Sequence, residues 1–255
     1  MKIVVSGWSG SGSSTLAILL AQILEIKLFK ATDAFRLLWD KLGYGQTGEN
    51  IIKADNEESL IEPYFGPLFD KLVDETLVNS DLNLVLESDI AAFRLGKRSE
   101  FFSIFLTPSL EARKARLQAG GRAEDVDVLE KRDLGHQAIY KKLTGLDFLS
   151  LEDIKQKYNL IIDNSNMPLD AELRVILNQL KTDTIISSDR FDELIRRIDE
   201  VINRFESLGS KAIVEEMKND GEVIDGKYII SEIVRKHRGE IENFPEELKN
   251  AILSI

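Results

Sequence analysis

The chain has no cysteine, which excludes disulfides, cysteine zinc sites and thiol chemistry and fits a reducing cytoplasm. It has 2 histidines. Neither His136 nor His237 has partners at metal-ligand spacing, so both read as structural. Positive charge is in deficit: 33 Lys and Arg against 44 Asp and Glu give a net charge of −11. Coating DNA or RNA needs a basic footprint, so no nucleic-acid partner is expected. One small basic pocket for a phosphorylated metabolite stays compatible with that balance. No apolar run approaches the roughly 20 residues of a membrane span. A strand pattern follows Met1-Lys2 directly, so no signal peptide is expected.

What is present is an ordinary globular composition, 43% hydrophobic and 30% charged over 255 residues. The organising stretch is Gly7-Trp8-Ser9-Gly10-Ser11-Gly12-Ser13-Ser14-Thr15. It follows the apolar run Ile3-Val4-Val5 and opens onto Leu16-Ala17-Ile18-Leu19-Leu20. Strand, glycine-rich turn and helix, in that order, make a phosphate-binding loop whose N–H groups and helix N-terminus cradle an anion. Gly7, Gly10, Ser11, Gly12, Ser13, Ser14 and Thr15 are the candidate donor-nucleotide contacts. Ser14 holds the hydroxyl position that ligates Mg²⁺ in such loops. Ser13 stands where a phosphate-gripping lysine normally sits, so other positive charge has to offset its loss. Either the site works without the lysine, or it is a nucleotide-binding shell without turnover.

Strands are expected at Lys2–Ser6, Glu25–Phe29, Leu82–Leu86, Phe101–Leu106 and Leu160–Ile162. Helices are expected at Ser13–Leu24, from an N-cap at Thr32-Asp33 to Trp39, over Glu57–Val78 with breaks at Pro63 and Pro67, over Pro108–Leu117, on to Leu143, and over Leu169–Leu180. Gly43–Asn50 reads as a loop. Alternating short strands and amphipathic helices imply an α/β fold: a three-layer α/β/α domain on a parallel five-stranded sheet. That domain is placed at 1–182, with a polar segment at about 118–135 as a lid. Residues 183–255 read as a mainly helical C-terminal extension. Within it, Ser188 caps an amphipathic helix, and a short hairpin falls near Val223–Tyr228. This helix could pack on the domain, on a second copy or on a protein partner.

Ligands of such sheets bind beyond the carboxyl ends of the strands. Glu87 and Asp89 lie at one such end, where a carboxylate can reach Mg²⁺ through water or orient an acceptor. Arg113, Arg116, Arg122, Lys131 and Arg132 are candidates to replace the missing lysine by closing over the phosphates. Asp33 and Arg36, after the second strand, are candidates for an acceptor. Asn164 lies in the loop after the fifth.

These stretches resemble the archaeal-type cytidylate kinases, a family of P-loop nucleoside monophosphate kinases. The resemblance spans about residues 1–180. It is carried by the Gly7–Thr15 loop, Ala31-Thr32-Asp33-Ala34-Phe35-Arg36, Leu84-Val85-Leu86-Glu87, Ile104 through Arg116, Lys131-Arg132-Asp133, Tyr140 through Asp147, and Leu160 through Ser165. Some members of that family also carry a hydroxyl residue in place of the loop lysine. The resemblance implies Mg²⁺-dependent transfer of the ATP γ-phosphoryl to CMP or dCMP. Ser14 would then bind Mg²⁺, Arg36 the acceptor phosphate, Arg116, Arg122 or Arg132 the transferring group, and the Asn164 loop would lie near the adenine. Two places depart from the family. Its glutamate is followed by glycine-arginine, and here by Ser88-Asp89; its acceptor-segment glycine is Thr32. Asp89 would repel a monophosphate and would suit a hydroxyl or amine acceptor.

Overall fold

The computed structural model describes residues 1–44, 61, 63–121, 126 and 128–255. Its centre is β1 (Lys2–Gly7), buried along its whole length as a β-branched run in a covered parallel sheet should be. β1 pairs in parallel with β3 (Leu84–Glu87) on one side and β4 (Phe102–Leu106) on the other. β2 (Lys27–Lys30) lies beyond β3, and β5 (Leu160–Ile162) beyond β4. A sixth strand, β6 (Val223–Ile224), pairs in parallel with β2 and completes the order β5-β4-β1-β3-β2-β6. The expected sheet of five is therefore one strand short. The expected hairpin near Val223–Tyr228 is this single strand, followed immediately by a helix. A two-residue strand is too short to show a period, and its partner Leu28 is far back in the chain.

The strands alternate between two cores. Ile3, Val5, Leu28, Val85 and Ile104 face α1 (Ser13–Leu24), α8 (Leu169–Thr182) and α9 (Ser188–Asn219). Val4, Phe29, Leu86 and Phe105 face the opposite layer. There lie α2 (Ala31–Lys41), α3 (Phe65–Asn79), α4 (Ala91–Leu95), α7 (Leu151–Lys157), α10 (Gly226–Ile241) and α11 (Glu246–Leu253). Residues 183–255 therefore cover both faces of the sheet. α9 lies against α1 and α8, and α10 against α2. Among the described residues no helix is long and apolar enough to cross a membrane.

Several helix ends differ from expectation. α2 is preceded by Lys30 with no side-chain cap, because β2 runs straight into it; Thr32 and Asp33 sit inside its first turn. Ser187, not Ser188, caps α9 by accepting from Arg190 N–H. Pro67 is the third residue of α3, where its missing N–H costs no helical bond. The short α4 and α7 carry too few turns for periodicity to reveal. The expected loop Gly43–Asn50 lies outside the described residues from position 45 onward, as do the start of the Glu57–Val78 segment and part of the proposed lid.

Candidate active site

The loop between β1 and α1 is shaped by close backbone approach. A Cβ on Gly7 would strike Ser11 Oγ and lie 3.0 Å from Leu106 Cβ. Gly10 and Gly12 have φ of 77° and 93°, in the left-handed region that favours glycine. Gly12 has no side chain to cap α1, so the first-turn N–H groups are left for a ligand. Ser13 and Ser14 open that turn, as expected.

Ser14 Oγ donates to Glu87 Oε1 at the carboxyl end of β3. Glu87 is buried, and its Oε2 has no partner among the described residues. A hydroxyl beside a buried carboxylate with an unsatisfied oxygen is a hard-oxygen donor set that fits Mg²⁺.

The loop is held from outside by buried polar groups. Arg113, on α5 (Leu110–Ala119), donates to Ser9 O at 3.1 Å and to Asp133 Oδ2 at 2.5 Å. Both partners of that ion pair are over nine-tenths buried. Arg116 donates to Ser11 O at 2.9 Å and also to Asn164 O. Asn164 is buried, and its Nδ2 donates to Ser11 O and to both carboxyl oxygens of Glu172. Burial holds the Glu172 carboxyl above its usual range, and the hydrogen bond from Asn164 opposes this. Arg116 and Asn164 thus brace the loop through its carbonyls. Arg122 lies outside the described residues.

On the other side of β3 is a cavity of about 180 Å³. Its wall is aromatic: Phe35 and Trp39 from α2, Phe69 from α3, and His136 and Tyr140 from α6 (Leu129–Thr144). The His136 and Tyr140 rings stack 5.5 Å apart. Its polar lining is Thr32, Asp70, Ser88, Asp89 and Arg132. Arg132 Nε and Thr32 Oγ1 are buried without hydrogen-bond partners among the described residues. Asp70 pairs with Arg94 at 2.5 Å. Burial nevertheless outweighs that guanidinium and pushes the Asp70 carboxyl up to about 6.

The candidate residues therefore separate. Gly7–Thr15 with Glu87 forms one place, and Asp89 with Arg132 lies in the adjoining cavity. Asp33 and Arg36 do not line the cavity. Asp33 pairs with Lys30 at 3.3 Å and Arg36 at 3.9 Å, and the Arg36 side chain is 44% exposed. Four residues of α2 reach the cavity: Ala31 at its start, and Thr32, Phe35 and Trp39, spaced three and four apart. His136 has more than a packing place, since it forms part of the wall; His237 is buried and pairs with Glu240. Asp70 and Phe69 carried no sequence motif; Tyr140 opens a stretch that carries the family resemblance, but its place in the cavity wall was signalled only by its helical spacing from His136.

Comparison with known proteins agrees with this layout. The chain is 27% identical over 188 residues to a cytidylate kinase of Saccharolobus islandicus, covering 71% of this chain and 92% of that protein. It is 27% identical over 191 residues to a cytidylate kinase of Methanosarcina mazei, covering 71% and 98%. Among solved structures, an uncharacterized protein from Eubacterium ventriosum is similar in fold, with a TM-score of 0.50 and 14% identity over 71% of this chain and 99% of that one. No family model matches the chain. A phosphate-binding loop beside a cavity, on a parallel sheet, thus accompanies a likeness to the cytidylate kinases that extends over most of both chains.

Proposed function

We propose that the protein is a cytoplasmic kinase that transfers the γ-phosphoryl of ATP to a small acceptor seated in the aromatic cavity. CMP or dCMP is the acceptor that the family resemblance implies. One observation carries this reading: β3 ends between the two places. Glu87 touches the loop serine, and the next residues, Ser88 and Asp89, line the cavity. A donor phosphate on the loop and an acceptor in the cavity would meet there, and such chemistry is mostly positioning and electrostatics.

Gly7–Thr15 would hold the phosphates by backbone N–H groups, and Ser14 with Glu87 would hold Mg²⁺. When bound, Mg²⁺ would neutralise charge on the phosphates. Arg132 would face the acceptor. Arg116 and Asn164 would keep the loop in shape, whereas the family resemblance implies that Arg116 meets the transferring group and that the Asn164 loop lies near the adenine. The aromatic wall would exclude water and stack a planar ring.

A second acceptor class has an observation of its own. Asp70 and Asp89 both line the cavity, and Arg132 is the one lining cation among the described residues. That balance suits an acceptor whose reacting end is a hydroxyl or amine. A coupled assay with ATP, Mg²⁺ and each nucleoside monophosphate is expected to show CMP or dCMP turnover. Turnover of unphosphorylated acceptors alone would retain the kinase and transfer the proposal to this second class. ATP binding with no transfer to any acceptor would refute it and leave a nucleotide-binding interaction protein.

A further inference from the structure

The C-terminal extension makes a close contact with the wall of this cavity. β2 leads directly into α2, and β6 leads through Asp225 into α10. Because β6 pairs beside β2, with Phe29 opposite Ile224, these two strand-to-helix corners are neighbours. Asp225 caps α10 by accepting from Tyr228 N–H at 2.9 Å. Gly226, the first residue of α10, is buried against α2. A Cβ there would lie 2.6 Å from both the carbonyl carbon and oxygen of Asp33, and 2.8 Å from Ala34 N. These are backbone atoms at the start of α2, so no side-chain rotation relieves the overlap. The contact continues along both helices. Ala34 and Leu38 are fully buried in the core that also holds Ile229, Ile230 and Ile233 of α10. Thr32, Phe35 and Trp39, on the adjoining stripe of α2, line the cavity. α10 also reaches α3, the second helix of the wall, through Lys236 and Glu75 at 2.9 Å.

We propose that the β6–α10 corner sets the seat of α2, and that Gly226 is a positioning residue for the acceptor cavity. This rests on the reading of the cavity as the acceptor site. Packed interiors do not absorb an extra methyl without a shift. Where that methyl would meet backbone, the movable body is the helix. A displaced α2 carries Thr32, Phe35 and Trp39 with it and leaves the donor loop, on the far side of β3, in place.

The test compares Gly226→Ala with Gly239→Ala. Gly239 lies near the end of α10, past a kink at His237, and a Cβ there meets nothing within 4 Å. In Gly226→Ala the CMP KM is expected to rise about tenfold or more, as misplacement near 1 Å can cost even more. The ATP KM should stay within about twofold, and Gly239→Ala should match the parent in both. A second readout needs no turnover. The chain has 2 tryptophans, so Trp8→Phe leaves Trp39, in the cavity wall, as the reporter. Adding Gly226→Ala to that background should red-shift Trp39 emission and increase its acrylamide quenching. Adding Gly239→Ala should change neither. If Gly226→Ala fails to fold, Ile230→Val, which trims one methyl from the buried face of α10, should raise the CMP KM severalfold with the ATP KM held. Unchanged Trp39 spectra, or equal changes in both KM values, would overturn the proposal. A shifted Trp39 spectrum without CMP phosphorylation would support the seating of α2 and count against the kinase reading alone.

Discussion

The donor loop and the cavity meet at the end of β3, yet they are made of different materials. The loop is mostly backbone. Its shape comes from Gly7, Gly10 and Gly12 and from buried donors on its carbonyls: Arg113 on Ser9, and Arg116 with Asn164 on Ser11. The cavity is mostly side chain, gathered from α2, α3, α6 and the end of β3. On the proposed reading, a phosphate cradle of N–H groups would tolerate Ser13 in place of a lysine, because most of its ligand contacts would not depend on that residue. A cavity of side chains changes its ligand with each substitution. On that reading the donor side keeps the pattern that the family resemblance implies, and the acceptor side departs from it at Thr32, Ser88 and Asp89.

The contrast is broken most forcefully at Arg113, which serves both sides: it braces the loop and anchors α6 through Asp133. Arg113→Ala leaves Asp133 buried without its ion-pair partner, a loss expected at about 3–5 kcal/mol of stability in chemical denaturation. A loss under about 1 kcal/mol would place this pair among weak surface bridges instead. The donor side alone is tested by Glu87→Gln. Its kcat is expected to fall on the order of 100-fold with the CMP KM nearly unchanged, as when one preorganised electrostatic partner is removed. A selective rise in the CMP KM would move Glu87 to the acceptor side.

Arg132→Ala tests the cavity in the same way. Loss of one charged hydrogen-bond donor should lower kcat/KM for CMP by about 10- to 100-fold, with ATP affinity unchanged in a titration. The smallest effect is a pH dependence at Asp70. Its folded-state pKa of about 6 is above the ordinary 3.8. The folded state therefore holds this proton more tightly, and this group's contribution to stability falls as pH rises from about 4 to about 6. Asp70→Asn should flatten that part of the stability profile measured in urea. An unchanged slope would mean that Arg94 keeps Asp70 charged throughout.

The sheet and the donor loop were legible because their signals are local. An apolar strand, spaced glycines and a hydroxyl at position 14 are adjacent in the chain. Glu87 was legible because it ends a strand. Arg116 was visible as a cation at helical spacing and as the end of a stretch that carries the family resemblance, but not as a brace of the loop. Its turn back toward Ser11 and Asn164 depends on where β5 and α5 pack, which no local pattern encodes. On α2, Asp33 and Arg36 bear charge and look like binding groups, while Thr32, Phe35 and Trp39 look like ordinary core. Neighbouring residues point about 100° apart on a helix, so the choice between these stripes belongs to the tertiary contact. Here that contact is with α10. Asp70 and β6 were hidden for the same reason: each gains meaning from a partner distant in sequence.

The two residues of β6 also set a schedule for the newborn chain. β2 emerges early, but the strand that pairs with its outer edge follows roughly 200 residues later. At ordinary synthesis rates of about 5–20 residues per second, that edge waits on the order of 10–40 s with its hydrogen-bonding groups unmatched. During the wait it is a template for any extended segment nearby. Val223–Ile224 is thus the last stitch of the sheet, and a ribosome stalled before it would leave a nearly complete molecule with one adhesive border.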